Sequence, residues 1–547
     1  MLDEDPAVLL RDLPASELAR LAARAVAIGT DFVAGGLRDG LVLNYASERE
    51  MIQRFAGPLP ERGRPIDGLL DELAEVAHWS VAQSDPRYLA FPDSGSSVAA
   101  ALASIVSTFL NQNLITFDRG APAASVIELQ LIGWLRELVG YPTRPLTEYD
   151  GLRGVGAMWT SGGNMSNHVA IATALAARWP QVHREGVRGL PERPVIVLAR
   201  QVEHFSYRAA AQVLGLGSDA LVWSAAAPNH TSDVAALAAA LADPPDGARP
   251  FMVVGVAGNC RTTGIDDLAA IADVCAEHDV WFHVDACHGG SLLFSERLRG
   301  RLTGIERADS VSLDPHKGLF VTYPSSYLLV RDPADLARFA RYPEKLNDPD
   351  CLDLGLITPF YGSRGFESLR LWALITHLGR AGVAALVERR QHTFEEMSQL
   401  LRDTGMFRFV GDSDFYRCAF VFCPRPAGEL LEQLSARRET RPPLRAIVSK
   451  YTRAYAEELY RSGAVVFDLF ALEDLADRLG LGTTDKFDVM GMCVGHPDID
   501  DATRQQITEH LVATGEKLMP AMLAELRLLG DGEAADDSCL VLGPAGW

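Results

Sequence analysis

The chain has 547 residues, of which 48% are hydrophobic and 22% are charged, and its formal net charge is −21. This length predicts two or three domains, and the acidic balance argues against binding to nucleic acid or to anionic membranes, which require basic surface. The eight cysteines include no CxxC pair, so the sequence indicates neither a zinc site nor a disulfide framework.

The sequence further predicts a cytoplasmic protein that does not bind a membrane. Its first residues lack the basic start and apolar core of a secretory signal, and no apolar run approaches the roughly 20 residues needed to cross a bilayer. Small molecules are therefore the expected partners.

Changes of periodicity along the chain predict four segments. Residues 1–95 contain helical patterns broken by Gly and Pro turns, which predicts a helical arm that must pack on another part of the protein. Residues 96–365 alternate apolar strand-like runs with alanine-rich helical patterns, which is typical of an α/β domain with a mixed, mostly parallel sheet. Residues 366–529 begin with a long helical pattern and continue with strand-like runs, which predicts a smaller α+β domain. Residues 530–547 are predicted to be a flexible acidic tail.

Two residues of the α/β segment carry the clearest chemical signal. Asp285 and Lys317 each follow an apolar strand-like run and lie 32 residues apart, about one strand-crossover-strand unit, so both can emerge at one sheet edge. A lysine there can form a Schiff base with pyridoxal phosphate, and an aspartate can keep its pyridine nitrogen protonated. Each residue alone is more often a helix cap or a solvated charge; the combination favours a shared cofactor site.

Three weaker signals point to the same edge. The segment from Thr160 to Asn167 places small residues before an alanine-rich helix, where backbone N–H groups can bind a phosphate, although such glycines are more often only a tight turn. His204 follows a strand by a few residues and could stack on a flat cofactor or be structural. His316 could bind a phosphate or fill a turn.

Taken together, these motifs resemble the group II pyridoxal phosphate-dependent amino acid decarboxylases, which include glutamate, aromatic amino acid, diaminobutyrate, cysteine sulfinate, valine and methionine decarboxylases. The matching motifs are TSGG-x-x-x-N at 160–167, Glu-His-Phe-Ser at 203–206, His-Val-Asp-Ala at 283–286 and Pro-His-Lys at 315–317, and weaker likeness spans about residues 40 to 515. The resemblance implies the fold-type I architecture, pyridoxal 5'-phosphate as cofactor, and a homodimer with active sites at the subunit interface. The N-terminal arm would contribute to dimerisation, and residues 111–118 resemble a stretch that reaches the partner's active site.

The same resemblance implies roles for individual residues. Lys317 would be the Schiff-base lysine, Asp285 would hold the pyridine nitrogen, Ala286 would lie beneath the ring, and His204 would lie above it and take part in catalysis. The remaining predicted cofactor residues are Gly163, Asn164, Met165, Cys260, Asp314 and His316. The predicted substrate residues are Phe91, Asp93 and Arg364. Tyr342, on a polar segment after the lysine, is the candidate proton donor, with Tyr323 in reserve; a packing role for Tyr342 is equally compatible.

Departures from the family's pattern shape the substrate prediction. The usual Gly-Thr-Thr is here Gly258-Asn259-Cys260, which puts a thiol in place of a hydroxyl near the ring. The C-terminal strand whose Arg meets the substrate carboxylate in glutamate decarboxylase-like members contains no Arg between Val489 and Val494. Arg364 remains a candidate carboxylate partner, with a surface ion pair as the alternative.

These departures predict decarboxylation of an apolar amino acid such as Met, Leu or Val to its amine. Asp93 would instead suit a basic side chain such as that of diaminobutyrate, and aromatic amino acids come third. An oxidative decarboxylase-deaminase that makes an aldehyde is the alternative reaction. A non-catalytic binding protein is disfavoured because it would not need Asp285, His316 and Lys317 together.

Overall fold

The computed structural model describes residues 10, 13–92, 97–149, 151–200, 204–340, 342–348 and 351–531. The elements before the large sheet are, in chain order, α1 Ala15–Val33, α2 Glu48–Phe55, α3 Ile66–His78, β1 Tyr88–Leu89, α4 Val98–Leu110 and α5 Pro122–Val139. The elements of the large domain are β2 Ala157–Thr160, α6 Gly163–Arg178, α7 Val182–Glu185, β3 Arg193–Ala199, α8 Ser206–Val213, β4 Leu221–Ser224, α9 Val234–Ala242, β5 Ala248–Val256, α10 Leu268–His278, β6 Trp281–Ala286, β7 Ser310–Leu313, α11 Pro315–Gly318, β8 Ser326–Val330 and α12 Pro333–Ala337.

The C-terminal elements begin with a long helix and alternate strands with helices. They are α13 Leu369–Asp403, β9 Phe407–Phe409, β10 Arg417–Phe422, α14 Arg425–Ser435, α15 Arg441–Ser462, β11 Val466–Glu473, β12 Lys486–Cys493 and α16 Asp501–Gly530.

A seven-stranded sheet forms the centre of the large domain, with strand order β2-β8-β7-β6-β5-β3-β4. The five strands from β7 to β4 pair in parallel, and β8 runs antiparallel to both of its neighbours. These strands are almost entirely buried, as expected for apolar runs covered by helices on both faces. The predicted α/β class and the mixed, mostly parallel sheet are therefore confirmed.

A second sheet, with order β1-β11-β12-β10-β9, forms the centre of the smaller α+β domain. Its first strand comes from the N-terminal segment, since Tyr88 and Leu89 pair in parallel with Val466 and Phe467. The segment predicted as a helical arm thus also supplies a strand to the C-terminal sheet, through a pairing of residues too distant in sequence for a local pattern to indicate. The predicted domain boundaries stay predictions.

Within the described residues, α13 is the one helix long and apolar enough to cross a membrane, by length and composition alone. Gly379 interrupts it with φ of 66°, outside the helical region, so the element consists of two helices joined at a kink. Leu371, Leu374, Val383 and Val387 are buried against the rest of the protein.

Candidate functional site

Asp285 and Lys317 lie at neighbouring strand ends, as their spacing predicted. Asp285 lies near the end of β6 and is in register with Ser312 of the parallel strand β7. Lys317 lies four residues beyond β7, in the short helix α11. Because both strands end at the same sheet edge, a carboxylate and an amine meet there.

The Asp285 carboxylate is buried and held by several donors. Asn167 Nδ2 and the Tyr207 hydroxyl donate to Oδ2 at 3.0 and 3.1 Å, and the backbone N–H of Cys287 donates to Oδ1 at 3.1 Å. Burial by itself raises the pKa of this carboxyl, but the positive charge of Lys317 and these hydrogen bonds outweigh it and lower the pKa to about 2. Asp285 is therefore a fixed negative charge at neutral pH.

A chain of hydrogen bonds behind Asp285 fixes its orientation. Trp281 Nε1 donates to Ser310 Oγ at 2.9 Å, and Ser310 Oγ lies 2.8 Å from His283 Nδ1. His283 Nε2 lies 3.2 Å from Asn167 Oδ1. Because Asn167 uses its amide N–H on the Asp285 carboxylate, its oxygen must accept from His283, which makes His283 a neutral ring protonated on Nε2.

This neutral His283 should make stability depend on pH. Burial lowers its pKa to about 4, whereas the ring in the unfolded chain titrates near 6.5. The resulting stabilisation, at most about 3 kcal/mol, is complete above the unfolded pKa and is lost as the pH falls toward 4. We expect the melting temperature of His283→Gln, which keeps a donor for Asn167, to fall less between pH 7.5 and pH 5.0 than that of the wild type.

An exposed histidine gives the control for this experiment. His392 lies on the surface of α13, with 68% of its side chain exposed, so His392→Gln should keep the pH dependence of the wild type. Equal losses of melting temperature in the wild type and in His283→Gln would contradict a buried neutral His283.

Lys317 is held in place by a second buried carboxylate. Its Nζ lies 3.0 Å from Asp314 Oδ2, and His316 Nε2 lies 3.6 Å from the same oxygen. Ser326 donates to the other Asp314 oxygen. Burial by itself lowers the pKa of Lys317, but the negative charges of Asp314 and its neighbours outweigh it and hold that pKa well above its usual value. The amine of Lys317 is thus held 3.0 Å from its counter-ion, Asp314. Because Lys317 pairs with Asp314, the Asp285 carboxylate remains available to another partner.

The loop between β2 and α6 forms the third part of the site. Helix α6 begins at Gly163, and the backbone N–H groups of its first turn, at Gly163, Asn164 and Met165, have no partners within the helix, which suits them to a phosphate. A Cβ on Gly163 would collide with Cys287 Sγ and lie 2.8 Å from Asp314 Oδ2, so only glycine fits between this loop and the strand ends. The Tyr361 hydroxyl extends the loop's contacts by donating to Ser161 Oγ at 2.8 Å.

The aromatic ring of His204 lies close to this edge. Burial, followed by the charge of Lys317, lowers its pKa to about 4, so the ring is neutral at pH 7. A neutral imidazole suits stacking on an electron-poor ring. His316 is buried, bonds the Ser325 carbonyl oxygen through Nδ1 at 2.7 Å, and packs on Tyr323 with ring centroids 4.3 Å apart.

The expectation that Ala286 lies beneath the ring is wrong. Side chains alternate along a strand, so Asp285 and Cys287 face one side of the sheet and Ala286 faces the other, where it is completely buried in the core. Cys287 Sγ lies 3.5 Å from Ser312 Oγ, and burial together with the Asp285 charge raises the pKa of its thiol well above the usual value. A neutral thiol, rather than a methyl group, therefore faces the candidate cofactor site.

The guanidinium of Arg364 is not available to bind a substrate carboxylate, and it does not lie on the surface. Its guanidinium forms a two-pronged ion pair with Glu128, in which 4% and 1% of the two side chains are exposed. Both charges are buried and each satisfies the other, so the expectation of a substrate contact is corrected to a structural ion pair.

The other predicted residues lie at the periphery or outside the description. Tyr342 and Tyr323 are about half exposed, at 53% and 52%, and Phe91 is 46% exposed. Asp93 lies outside the described residues. Cys260 is partly exposed and lies on the loop after β5, one residue before Arg261.

Sequence reasoning missed several residues that complete the site. Asn167 ends the TSGG-x-x-x-N motif and Tyr207 directly follows the Glu-His-Phe-Ser motif, but neither residue was given a role. Both follow a strand by a few residues, and this position could have assigned them to the Asp285 carboxylate. Arg261 and Arg417 carry no motif, and only the tertiary structure brings them together.

Comparisons with known proteins agree with this geometry. The family model described as the pyridoxal-dependent decarboxylase conserved domain matches residues 49–422. Cysteine sulfinic acid decarboxylase of Mus musculus is 30% identical over 397 residues, which cover 70% of this chain and 76% of that protein. L-2,4-diaminobutyrate decarboxylase of Rhizobium meliloti (strain 1021) is 33% identical over 336 residues, which cover 60% of this chain and 64% of that protein. The crystal structure of mouse CSAD in its apo form matches with a TM-score of 0.80 at 25% identity, covering 91% of this chain and 99% of that chain.

Proposed function

Since the chain belongs to the pyridoxal-dependent decarboxylase family, a family of carboxy-lyases that use pyridoxal phosphate, we propose that it converts an L-amino acid to the corresponding amine and CO₂. The observation that carries this proposal is the meeting of Asp285, Lys317 and the start of α6 at one sheet edge. These groups supply a fixed anion, an amine and a phosphate-binding turn, which are the three contacts that the cofactor requires.

Each group has a defined task in this proposal. Lys317 would hold the cofactor through its aldehyde carbon, and the Asp285 carboxylate would accept a hydrogen bond from the protonated pyridine nitrogen. The N–H groups of Gly163, Asn164 and Met165 bind the phosphate, and His204 covers the ring. Pyridoxal phosphate, when bound, supplies an electron-withdrawing ring that takes up the electron pair left at Cα as CO₂ departs.

A proton must then reach Cα to complete the amine. Tyr342 is the proposed donor, and Tyr323 the alternative. Tyr342 directly precedes a 3₁₀ segment at residues 343–347, and its half-exposed side chain has Lys345 Nζ 5.8 Å from its ring. A donor on an exposed segment has to move to the reacting carbon, which suits a loop that closes over bound substrate.

The reaction is tested by its product balance. Purified protein loaded with pyridoxal phosphate is incubated with the twenty amino acids and diaminobutyrate, and CO₂, amine, ammonia, peroxide and oxygen are measured. Amine formed in equal amount to CO₂, with no oxygen uptake, supports the proposal. Oxygen uptake with ammonia and peroxide would replace it by the aldehyde-forming reaction, and no CO₂ from any amino acid would refute both.

The same panel addresses the substrate. The named relatives act on a side chain that is acidic in one case and basic in the other, and nothing in the comparisons singles out Met, Leu or Val. The prediction of an apolar side chain depended on a C-terminal strand without Arg, and two arginines near the site weaken that premise.

We also propose that the protein is a homodimer. One face of α4 carries large apolar side chains that are exposed in a single chain: Val98 is 75% exposed, Leu102 58%, Val106 49% and Phe109 48%. A continuous apolar face of this kind is typical of an interface, and residues 111–118, expected to reach the partner's site, follow directly. The occupant we propose is α4 of a second copy.

A charge on this face should therefore separate the subunits. We expect Leu102→Glu combined with Val106→Glu to shift the protein from dimer to monomer in sedimentation or light scattering, because burying two carboxylates in an apolar interface is costly. Gln506→Glu, which adds a carboxylate on the exposed surface of α16, is the matched control and should remain dimeric. An unchanged dimer in the double variant would place the interface elsewhere.

A further inference from the structure

Arg417 reaches a place that the sequence predicted to lack an arginine. It begins β10 and pairs with Cys493 of β12, and its side chain lies over Gly491, two residues back along that strand. A Cβ on Gly491 would be 2.9 Å from Arg417 Nη2 and 2.7 Å from Phe470 Cε1. The sequence predicted no cation on β12, but the guanidinium of Arg417, from the neighbouring strand β10, occupies the space beside Gly491.

A second arginine joins it on the same aromatic ring. The guanidinium carbon of Arg261 lies 4.6 Å from the centroid of Phe470, and that of Arg417 lies 5.1 Å from the same centroid. Arg417 Nε also donates to the Arg261 carbonyl oxygen at 3.2 Å. The two cations are therefore held together, by the ring and by a hydrogen bond.

The charges of this cluster do not balance. Arg417 is 3% exposed and is ion-paired with Asp468, which is 15% exposed. Arg261 is partly exposed, and its guanidinium has no ion pair with any residue that the structure describes. Two guanidinium groups face one carboxylate, which leaves one positive charge that an anion can neutralise.

The cluster borders the cofactor site. Arg261 directly follows Cys260, and Tyr416, the neighbour of Arg417, lies 2.8 Å through its hydroxyl from Nδ1 of His288, three residues after Asp285. The positive charges of both arginines also affect the pKa values of histidines in the site. After burial, the charges of Lys317 and Arg417 keep the pKa of His288 well below its usual value, and Arg261 contributes to the low pKa of His204.

We propose that Arg261, supported by Arg417 across Phe470, forms a subsite for an anionic group on the substrate's side chain, a carboxylate or a sulfinate. This inference rests on the proposed decarboxylation and assigns its substrate class as acidic amino acids. The α-carboxylate is the less suitable ligand, because it loses its charge as CO₂ departs and a strong ion pair to it would stabilise the substrate more than the transition state. A side-chain anion keeps its charge throughout.

Isosteric substrate pairs test this assignment with the loaded enzyme. We expect kcat/KM to be at least about 10-fold higher for an acidic amino acid than for its amide, comparing glutamate with glutamine and aspartate with asparagine. Cysteine sulfinate, compared with aspartate, distinguishes a sulfinate from a carboxylate. In Arg261→Gln the preference should shrink by roughly 10-fold or more, through a raised KM for the acid, whereas the surface variant Arg178→Gln should keep it.

A binding measurement separates this subsite from the reaction. Glutarate and succinate, which have no amino group, should bind the wild-type holoenzyme in calorimetry and should bind Arg261→Gln roughly 10-fold more weakly. Arg417→Lys keeps the charge that Asp468 needs and should weaken dicarboxylate binding without unfolding the protein. A preference for neutral or basic amino acids, or dicarboxylate binding unchanged in Arg261→Gln, would overturn the subsite. Failure to release CO₂ from any amino acid would refute the proposed function instead.

Discussion

Replacing Lys317 by arginine is expected to abolish decarboxylation, with a loss of roughly 10⁴-fold or more. A guanidinium keeps the positive charge beside Asp314, so the buried ion pair survives, but it cannot bind the cofactor's aldehyde covalently. The variant should therefore fold with a melting temperature close to that of the wild type. It should also lack the visible absorption of the lysine-bound cofactor, and borohydride should label no peptide at residue 317.

The arginine variant is preferred to Lys317→Ala for a physical reason. Only 1% of the Asp314 side chain is exposed, and alanine would leave this buried carboxylate without its cation, at a cost of about 3–5 kcal/mol. Loss of activity in the alanine variant could then reflect loss of structure. Lys450→Ala, which removes a surface ion pair with Glu525, is the control and should remain active and borohydride-sensitive at residue 317. Activity of Lys317→Arg within 100-fold of the wild type would contradict covalent attachment at this residue.

Local patterns in the sequence predicted most of the large sheet. Buried parallel strands are short apolar runs between helices, and each such run between Val195 and Val330 became a strand. The distance of 32 residues between Asp285 and Lys317 was informative because a strand-crossover-strand unit brings its two strand ends to one edge. In the structure the two strands of this unit are β6, which contains Asp285, and β7, which precedes Lys317, and they pair in parallel.

What the sequence could not predict depends on contacts between distant segments. The pairing of β1 with β11 joins residues nearly 380 positions apart, and the ion pair of Arg364 with Glu128 joins residues 236 apart. The error at Ala286 has another physical cause: side chains alternate along a strand, so a residue next to Asp285 faces the opposite side of the sheet, and this could be predicted from the sequence.

The arginine cluster shows the same limit at the substrate end of the site. The absence of arginine from Val489 to Val494 predicted an apolar pocket, but a strand's own sequence does not show which side chains its neighbours place over it. In a sheet, a long side chain can lie across the neighbouring strand, and Gly491 allows Arg417 to do so. A sequence pattern shows which residues of one strand share a face of the sheet. Which side chain fills the space beside a small residue depends on the register of the neighbouring strand and on side-chain volume.

Substituting Asp285 by asparagine is expected to lower kcat/KM by roughly 10²–10³-fold while the cofactor remains bound. The wild-type carboxylate, with its pKa at about 2, is ionised at any pH at which the protein is assayed. In the proposed reaction this negative charge would keep the pyridine nitrogen protonated. A neutral amide of the same shape removes that charge, so the ring becomes a weaker acceptor for the electron pair at Cα. The loss should appear in kcat, with visible absorption retained but shifted.

Two further variants show that charge, rather than packing, is responsible. In Asp285→Asn combined with Asn167→Asp, the buried negative charge and the number of hydrogen-bonding groups are kept, but the charge moves to the far side of the Asn167–Asp285 contact, away from the ring nitrogen. This double variant should fold and remain as inactive as Asp285→Asn. Asp279→Asn, on the surface, should match the wild type. Because this contact is deeply buried, removal of the negative charge should lower activity by more than ten-fold. Activity of Asp285→Asn within ten-fold of the wild type would therefore mean that another group holds the ring nitrogen.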